Sequence, residues 1–274
     1  MDDHGVQTHV LTLDGGMPWQ RVPGDIGATL ASIVNDAAID AHMKYPERFL
    51  GGIELSVREP QLCLKELDRV AGKPGMVAVH LPTSYEENFY VFEPAFSQVL
   101  ARIEQLGYPI LFHPLDGDIN IYSSERLGDN LSKSANLNNT LGFPFENTLV
   151  AGRLIITSTL DKFPKLEIVL PHSGGILPYI AGRLDHELSS NRRFNTDKMI
   201  MDYIRRFHYD TLTYYPETLR FLIDLVGSDR VVIGTDNYAI MDVEYPNALV
   251  EQLKLPAADS ELIFKGNAKR LLHL

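Results

Sequence analysis

Short apolar runs alternate with amphipathic stretches along the chain. Helical periodicity covers stretches such as 27–44, 93–107, 146–163, 176–189 and 216–226. The seven runs predicted as strands are 6–13, 49–56, 76–81, 110–114, 166–171, 208–213 and 231–236. Continuous apolar runs bounded by Gly and Pro are typical of parallel strands that are buried on both faces. The alternation therefore predicts an α/β fold with one parallel sheet and right-handed crossovers.

The length of the chain refines this fold class. With 274 residues, 45% of them hydrophobic and 22% charged, it has ordinary globular composition and nearly the usual size of a TIM-type (β/α)₈ barrel. We find no internal repeat, low-complexity tract or linker, so residues 1–274 are expected to form a single domain. A closed barrel needs eight strands and the pattern supplies seven. The prediction is a barrel that lacks its first strand.

Charge and cysteine content exclude several classes of partner. The net charge of -11 argues against nucleic acid and anionic membranes, because binding phosphate requires clustered Lys and Arg. Cys63 is the only cysteine, so no intrachain disulfide can form, and a buried thiol in a reducing compartment is expected. No segment has the pattern of a secretory signal or a membrane span. These features predict a cytoplasmic protein.

Three polar residues stand at the ends of predicted strands. His113 ends the fourth run, His172 follows the fifth, and Asp236 ends the seventh. Each has a structural alternative: a core histidine, a turn histidine beside glycines, and a helix N-cap, respectively. The carboxyl ends of parallel strands form the catalytic face of a barrel. Together the three residues therefore predict a metal-assisted site with acid–base capacity.

Other polar residues give weaker signals. Arg183, on the helix after His172, could bind a substrate carboxylate in its own or a partner's site, or form a surface salt bridge. His80 is expected to be structural, and His208 starts its strand at the edge opposite the catalytic face. The segment 115–145 is rich in Asp, Ser, Asn and Gly, and it is a candidate lid or substrate loop.

With these segments identified, the chain resembles the amidohydrolase-related decarboxylases typified by aminocarboxymuconate semialdehyde decarboxylase and γ-resorcylate decarboxylase. The resemblance spans nearly the whole chain. Its motifs include Leu111-Phe112-His113-Pro114, His172-Ser173-Gly174-Gly175, Gly182-Arg183-Leu184, Gly234-Thr235-Asp236 and Gly266-Asn267-Ala268-Lys269-Arg270.

The resemblance implies a metal, usually zinc and in some members manganese, held by His113 and Asp236 with two more ligands from a first strand. That strand would precede Met1. It implies further that His172 is catalytic and hydrogen-bonds the metal water, and that Arg183 reaches the substrate of a neighbouring subunit in a homodimer. The predicted activity is non-oxidative decarboxylation of a small aromatic or unsaturated carboxylic acid, with His172 and Asp236 as the catalytic pair.

Two alternatives remain open at this point. The same metal site could hydrolyse or hydrate a lactone, an amide or an unsaturated acid. The chain could also be a non-catalytic, truncated relative in which the metal is weakly bound or absent, because catalytic zinc sites usually have three protein ligands and only His113 and Asp236 are at hand.

Overall fold

The computed structural model describes residues 1–13, 17–85, 89–115, 137–190, 198–237 and 241–274. At its centre is one parallel sheet of seven strands, in which each strand pairs with the next in chain order. The strands are β1 (His9–Leu11), β2 (Phe49–Glu54), β3 (Met76–Pro82), β4 (Ile110–His113), β5 (Ile168–Leu170), β6 (Phe207–Asp210) and β7 (Val231–Val232). Among the residues described, no pairing joins β7 to β1. The prediction of a TIM-type barrel that lacks one strand is confirmed.

Most strands are shorter than their apolar runs. The strand predicted at 231–236 pairs only over Val231–Val232, and the one predicted at 208–213 ends at Asp210. Beyond these residues the chain leaves the ladder and continues as loops above the sheet. His172 and Asp236 therefore lie beyond the paired strands, where their side chains can turn toward the others, whereas His113 is the last residue of β4.

The helices follow the predicted alternation. The long helix predicted at 146–163 is interrupted at Ser158, whose φ of 56° lies in the left-handed region and breaks the helical path. The helix predicted at 216–226 is confirmed with the same bounds. The helices are α1 (Gly24–Lys44), α2 (Pro60–Val70), α3 (Ser97–Leu106), α4 (Phe143–Ile156), α5 (Thr159–Lys162), α6 (Leu177–Ser190), α7 (Ile200–Ile204), α8 (Pro216–Val226), α9 (Ala248–Gln252), α10 (Ala257–Glu261) and α11 (Asn267–Leu271).

The two faces of the sheet bury different side chains. Ile110 and Ile168 belong to the main core, which also contains Leu67 of α2 and Leu222 of α8. On the inner face, the strand positions Leu111, Val169 and Val232 form a separate cluster with Leu271 of α11. Successive residues of a strand point to opposite faces. His113, two residues after Leu111, therefore points into the curl of the sheet.

The single cysteine is structural. Cys63 is buried in α2, and its thiol donates a hydrogen bond of 2.8 Å to the carbonyl of Ser56. Burial raises the pKa of the Cys63 thiol to about 12, so the reactive thiolate is not formed near neutral pH. In the described part of the chain, we find no helix with the length and apolar character that a membrane span requires.

Candidate metal centre

The structure brings together the three strand-end residues singled out in the sequence. His113, His172 and Asp236 each offer one ligand atom, and the three atoms lie within 4.8 Å of one another. Nε2 of His113 is 3.9 Å from Oδ1 of Asp236, although β4 and β7 are three strands apart. Three steps across a flat sheet would span about 14 Å. The sheet must therefore curl to bring these ends together.

His113 presents an unprotonated nitrogen to this cluster. Its Nδ1 lies 2.8 Å from the carbonyl oxygen of Pro114, which can only accept, so Nδ1 carries the hydrogen. Nε2 is buried and has no hydrogen-bond partner among the described residues. Burial, with smaller contributions from the neighbouring His172 and His80, lowers the pKa of His113 to about 3. A neutral imidazole with a free lone pair beside a carboxylate fits a divalent metal ion.

His172 is held from the side by helix α4. The amide Nδ2 of Asn147 lies 3.0 Å from Nδ1 of His172 and 3.0 Å from the carbonyl oxygen of Pro171. The ring of Phe143 stacks on the imidazole with an interplanar angle of 18°. Burial lowers the pKa of His172 to about 4. The sequence did not single out Asn147, because nothing local distinguishes it from other polar residues of a helix.

Asp210 fixes the backbone that carries His172. Its carboxylate accepts hydrogen bonds from the backbone N–H groups of His172 at 2.8 Å, Ser173 at 2.7 Å and Leu212 at 3.1 Å. His172 and Ser173 both have positive φ, of 50° and 57°, and these bonds hold that conformation. Burial raises the pKa of Asp210 to about 6, against the opposing effect of the three N–H donors. Asp210 is the last residue of β6, so it too is a polar residue at the carboxyl end of a parallel strand, the feature that singled out Asp236 in the sequence.

A second pair lies on the inner face next to the cluster. Nδ1 of His80 donates to the carboxylate of Glu54 and is 2.9 Å from both oxygens. The backbone N–H of Leu13 donates to the same carboxylate at 2.9 Å. Each of the two side chains is 2% exposed. The His80 ring centroid is 6.3 Å from that of His113, so this buried pair forms one wall of the candidate site.

The remaining candidates lie outside the cluster. Arg183 is exposed on α6 and forms no hydrogen bond or ion pair with any described residue, so the salt bridge considered as its alternative is not found there. His208 bonds Glu167 through Nε2 at 3.0 Å. Of the candidate lid at 115–145, positions 116–136 lie outside the described residues.

The comparisons with known proteins agree with this architecture. The amidohydrolase family model matches residues 15–274. The γ-resorcylate decarboxylase of Polaromonas sp. (strain JS666) is 26% identical over 287 residues, spanning 100% of this chain and 85% of that protein.

Two solved structures cover this chain completely at 26% identity and a TM-score of 0.89. One is 2,6-dihydroxybenzoate decarboxylase complexed with 2,6-dihydroxybenzoate, of which 86% is covered. The other is the dihydroxybenzoic acid decarboxylase of Polaromonas sp. JS666 with bound manganese and the inhibitor 2-nitroresorcinol, of which 84% is covered. Because the family model matches well over half of its residues, the chain belongs to the amidohydrolase family.

Proposed function

We propose that this protein is a metal-dependent, non-oxidative decarboxylase of small aromatic carboxylic acids. The observation that carries the proposal is the unprotonated Nε2 of His113, which has no hydrogen-bond partner in the described part of the chain and lies 3.9 Å from Oδ1 of Asp236 in a cluster with His172. Relatives and neighbours that span the whole chain are named as decarboxylases of dihydroxybenzoic acids. The hydrolytic alternative has no comparable support.

His113 and Asp236 are the residues assigned to hold the metal, zinc in the first instance and manganese as the alternative. One imidazole nitrogen and one carboxylate suit either ion. When bound, the ion supplies positive charge that orients the acid substrate and stabilises negative charge developing on its oxygens. The neighbour with bound manganese supports a divalent ion of this kind.

Decarboxylation breaks the bond between the carboxylate carbon and the ring. The carboxylate leaves as CO₂, the electron pair of the broken bond remains on the ring carbon, and a proton replaces CO₂ there. We assign the transfer of this proton to the imidazole of His172 and the carboxylate of Asp236, with water as the source of the proton that replaces CO₂. The wall formed by Glu54 and His80 excludes water from one side of the same space.

Arg183 has a separate proposed role. It is exposed and has no described partner, so its guanidinium is free to meet a carboxylate outside its own subunit. We assign it to the substrate of a neighbouring subunit in a homodimer. A charge-assisted hydrogen bond of this kind contributes about 1.5–3 kcal/mol.

The test is a product analysis. The purified protein, loaded with Zn²⁺ or Mn²⁺, is incubated with 2,6-dihydroxybenzoate and related hydroxybenzoates. We expect resorcinol-type products and CO₂ to form in equal amounts. His113→Ala provides the inactive control. If aromatic acids release no CO₂ while lactones or amides are hydrolysed, the decarboxylase assignment is wrong.

A further inference from the structure

Asn147 makes an unusual set of contacts for a helical residue. It lies in the second turn of α4, is fully buried, and its Nδ2 bridges the Pro171 carbonyl and Nδ1 of His172. Its Oδ1 is buried and has no hydrogen-bond partner among the described residues. An unpaired buried amide oxygen costs free energy. The orientation of this amide is therefore set by the two contacts of its NH₂ group.

The Pro171 carbonyl decides which way the amide faces. A carbonyl oxygen can only accept, so the atom of Asn147 that lies 3.0 Å from it must be the NH₂ group. The second hydrogen of the same NH₂ group then points to Nδ1 of His172, which must accept it. A neutral imidazole that accepts at Nδ1 carries its hydrogen at Nε2.

We propose that Asn147 is a positioning residue that fixes His172 as the neutral Nε2–H tautomer, so that His172 donates a hydrogen bond into the site instead of binding the metal. The proposal rests on the decarboxylase function only for its effect on turnover. The tautomer itself is a property of the folded chain and can be measured without substrate.

The contrast with His113 strengthens the inference. Both rings belong to the same cluster, with centroids 5.3 Å apart, yet their Nδ1 atoms have opposite partners. Nδ1 of His113 meets an acceptor, the Pro114 carbonyl, and Nδ1 of His172 meets a donor, the Asn147 amide. One ring therefore offers a lone pair at Nε2 and the other offers a hydrogen. The pair presents a metal ligand and a hydrogen-bond donor to one small space.

The first measurement uses the unaltered protein. In protein labelled with ¹⁵N at its nine histidines, the ring signals of His172 are identified by their loss in His172→Gln. We expect a protonated Nε2 and an unprotonated Nδ1, both before and after addition of Zn²⁺. A protonated Nδ1, or an Nε2 signal that shifts as a zinc ligand does, would overturn the proposal.

The second measurement uses Asn147→Asp, which keeps the size of the side chain and replaces the donor by an acceptor. We expect His172 to move to the Nδ1–H tautomer and kcat to fall about 10²-fold with little change in KM. If the variant folds poorly, the spectrum of Asn147→Ser, with a shorter side chain, serves instead, and the Nε2–H tautomer should no longer predominate.

Asn267→Asp is the matched control. Asn267 is also fully buried, its Nδ2 donates to the carbonyls of Ser228 and Val231, and its Oδ1 also lacks a partner among the described residues. We expect a comparable loss of stability without a change in the His172 tautomer or in kcat. An unchanged tautomer in Asn147→Asp defeats the inference even if CO₂ is released. If Asn147→Asp switches the tautomer but the unaltered protein releases no CO₂, the proposed function is wrong and the inference about Asn147 stands.

Discussion

At the scale of single residues, the neighbour of each imidazole determines its chemistry. His113 and His172 are the same residue type, both are partly buried, and burial lowers the pKa of both. What separates them is one contact each: a carbonyl acceptor beside Nδ1 of His113 and an amide donor beside Nδ1 of His172. The sequence identified both histidines, but only the folded chain supplies those partners.

Removal of each imidazole should therefore have a different effect on metal content. We expect His113→Ala to weaken Zn²⁺ binding by at least about tenfold, because a direct ligand is lost. His172→Ala should retain nearly all of its zinc and lose turnover. Equilibrium dialysis with elemental analysis measures the first quantity and product formation the second. Loss of zinc from His172→Ala as well would make His172 a ligand.

At the scale of elements, the residues around the candidate metal centre show what a sequence pattern can and cannot predict. The apolar runs are longer than most strands, but they predicted which polar residues follow at the carboxyl edge of the sheet, and this was sufficient to identify His113, His172 and Asp236. Asp210 was missed because the predicted strand extended to position 213, which placed Asp210 inside it. Asn147 was missed for a deeper reason. Its partners come from a segment 24 and 25 residues away, and only tertiary packing of α4 brings them into contact.

The close contact of this segment with α4 gives a stability prediction. Gly175 has φ of 65°, and a Cβ there would lie 1.8 Å from the carbonyl oxygen of Pro144. We expect Gly175→Ala to lower the free energy of unfolding by at least about 3 kcal/mol, because backbone must move. Gly182→Ala on α6 is the control, since nothing lies within 4 Å of its Cβ. Gly182→Ala should raise the free energy of unfolding by about 0.5–1 kcal/mol. Urea unfolding monitored by circular dichroism measures both, and equal effects would contradict the packing described.

The hydrogen bond between His208 of β6 and Glu167, the residue before β5, predicts that the free energy of unfolding depends on pH. The hydrogen bond to His208 lowers the pKa of Glu167, so this carboxylate stabilises the fold above its unfolded pKa, and the contribution is lost as pH falls through the folded pKa. Glu167 is half-exposed, so we expect Glu167→Gln to lower the free energy of unfolding by about 0.2–1 kcal/mol at pH 7 and by less at pH 3. Unfolding curves at both pH values test this. Glu187→Gln, an exposed position on α6, should show no such difference.

At the scale of the whole molecule, the alternation of elements predicted the order of the strands, whereas only the family resemblance implied a homodimer. Each strand pairs with its neighbour in sequence, as repeated strand–helix alternation requires, and the amidohydrolase resemblance gave the same topology. Arg183 illustrates the limit. Arg183 is exposed on α6, and its proposed partner, the substrate of a second subunit, is not part of the folded chain.

The proposed homodimer predicts complementation between two inactive variants. We expect Arg183→Met to lower kcat/KM roughly ten- to hundredfold. Coexpressed with His172→Ala, it should form mixed dimers in which one of the two sites is intact. Random pairing would restore about a quarter of the sites. Activity of the coexpressed mixture and the mass in solution by light scattering measure this. Activity no higher than the mean of the two separate variants would place Arg183 in its own subunit's site or on the free surface.

The Glu54–His80 pair also constrains how this sequence can change over generations. Replacing His80 alone leaves a carboxylate that is 2% exposed and has, among the residues that the structure describes, only the Leu13 N–H as donor. Replacing Glu54 alone removes the acceptor of both groups. Breaking a buried pair costs about 3–5 kcal/mol, whereas exchanging both members for apolar residues is often neutral. The two positions are therefore separated from any apolar alternative by a deleterious single substitution. Descendants of this chain should keep both residues or lose both together.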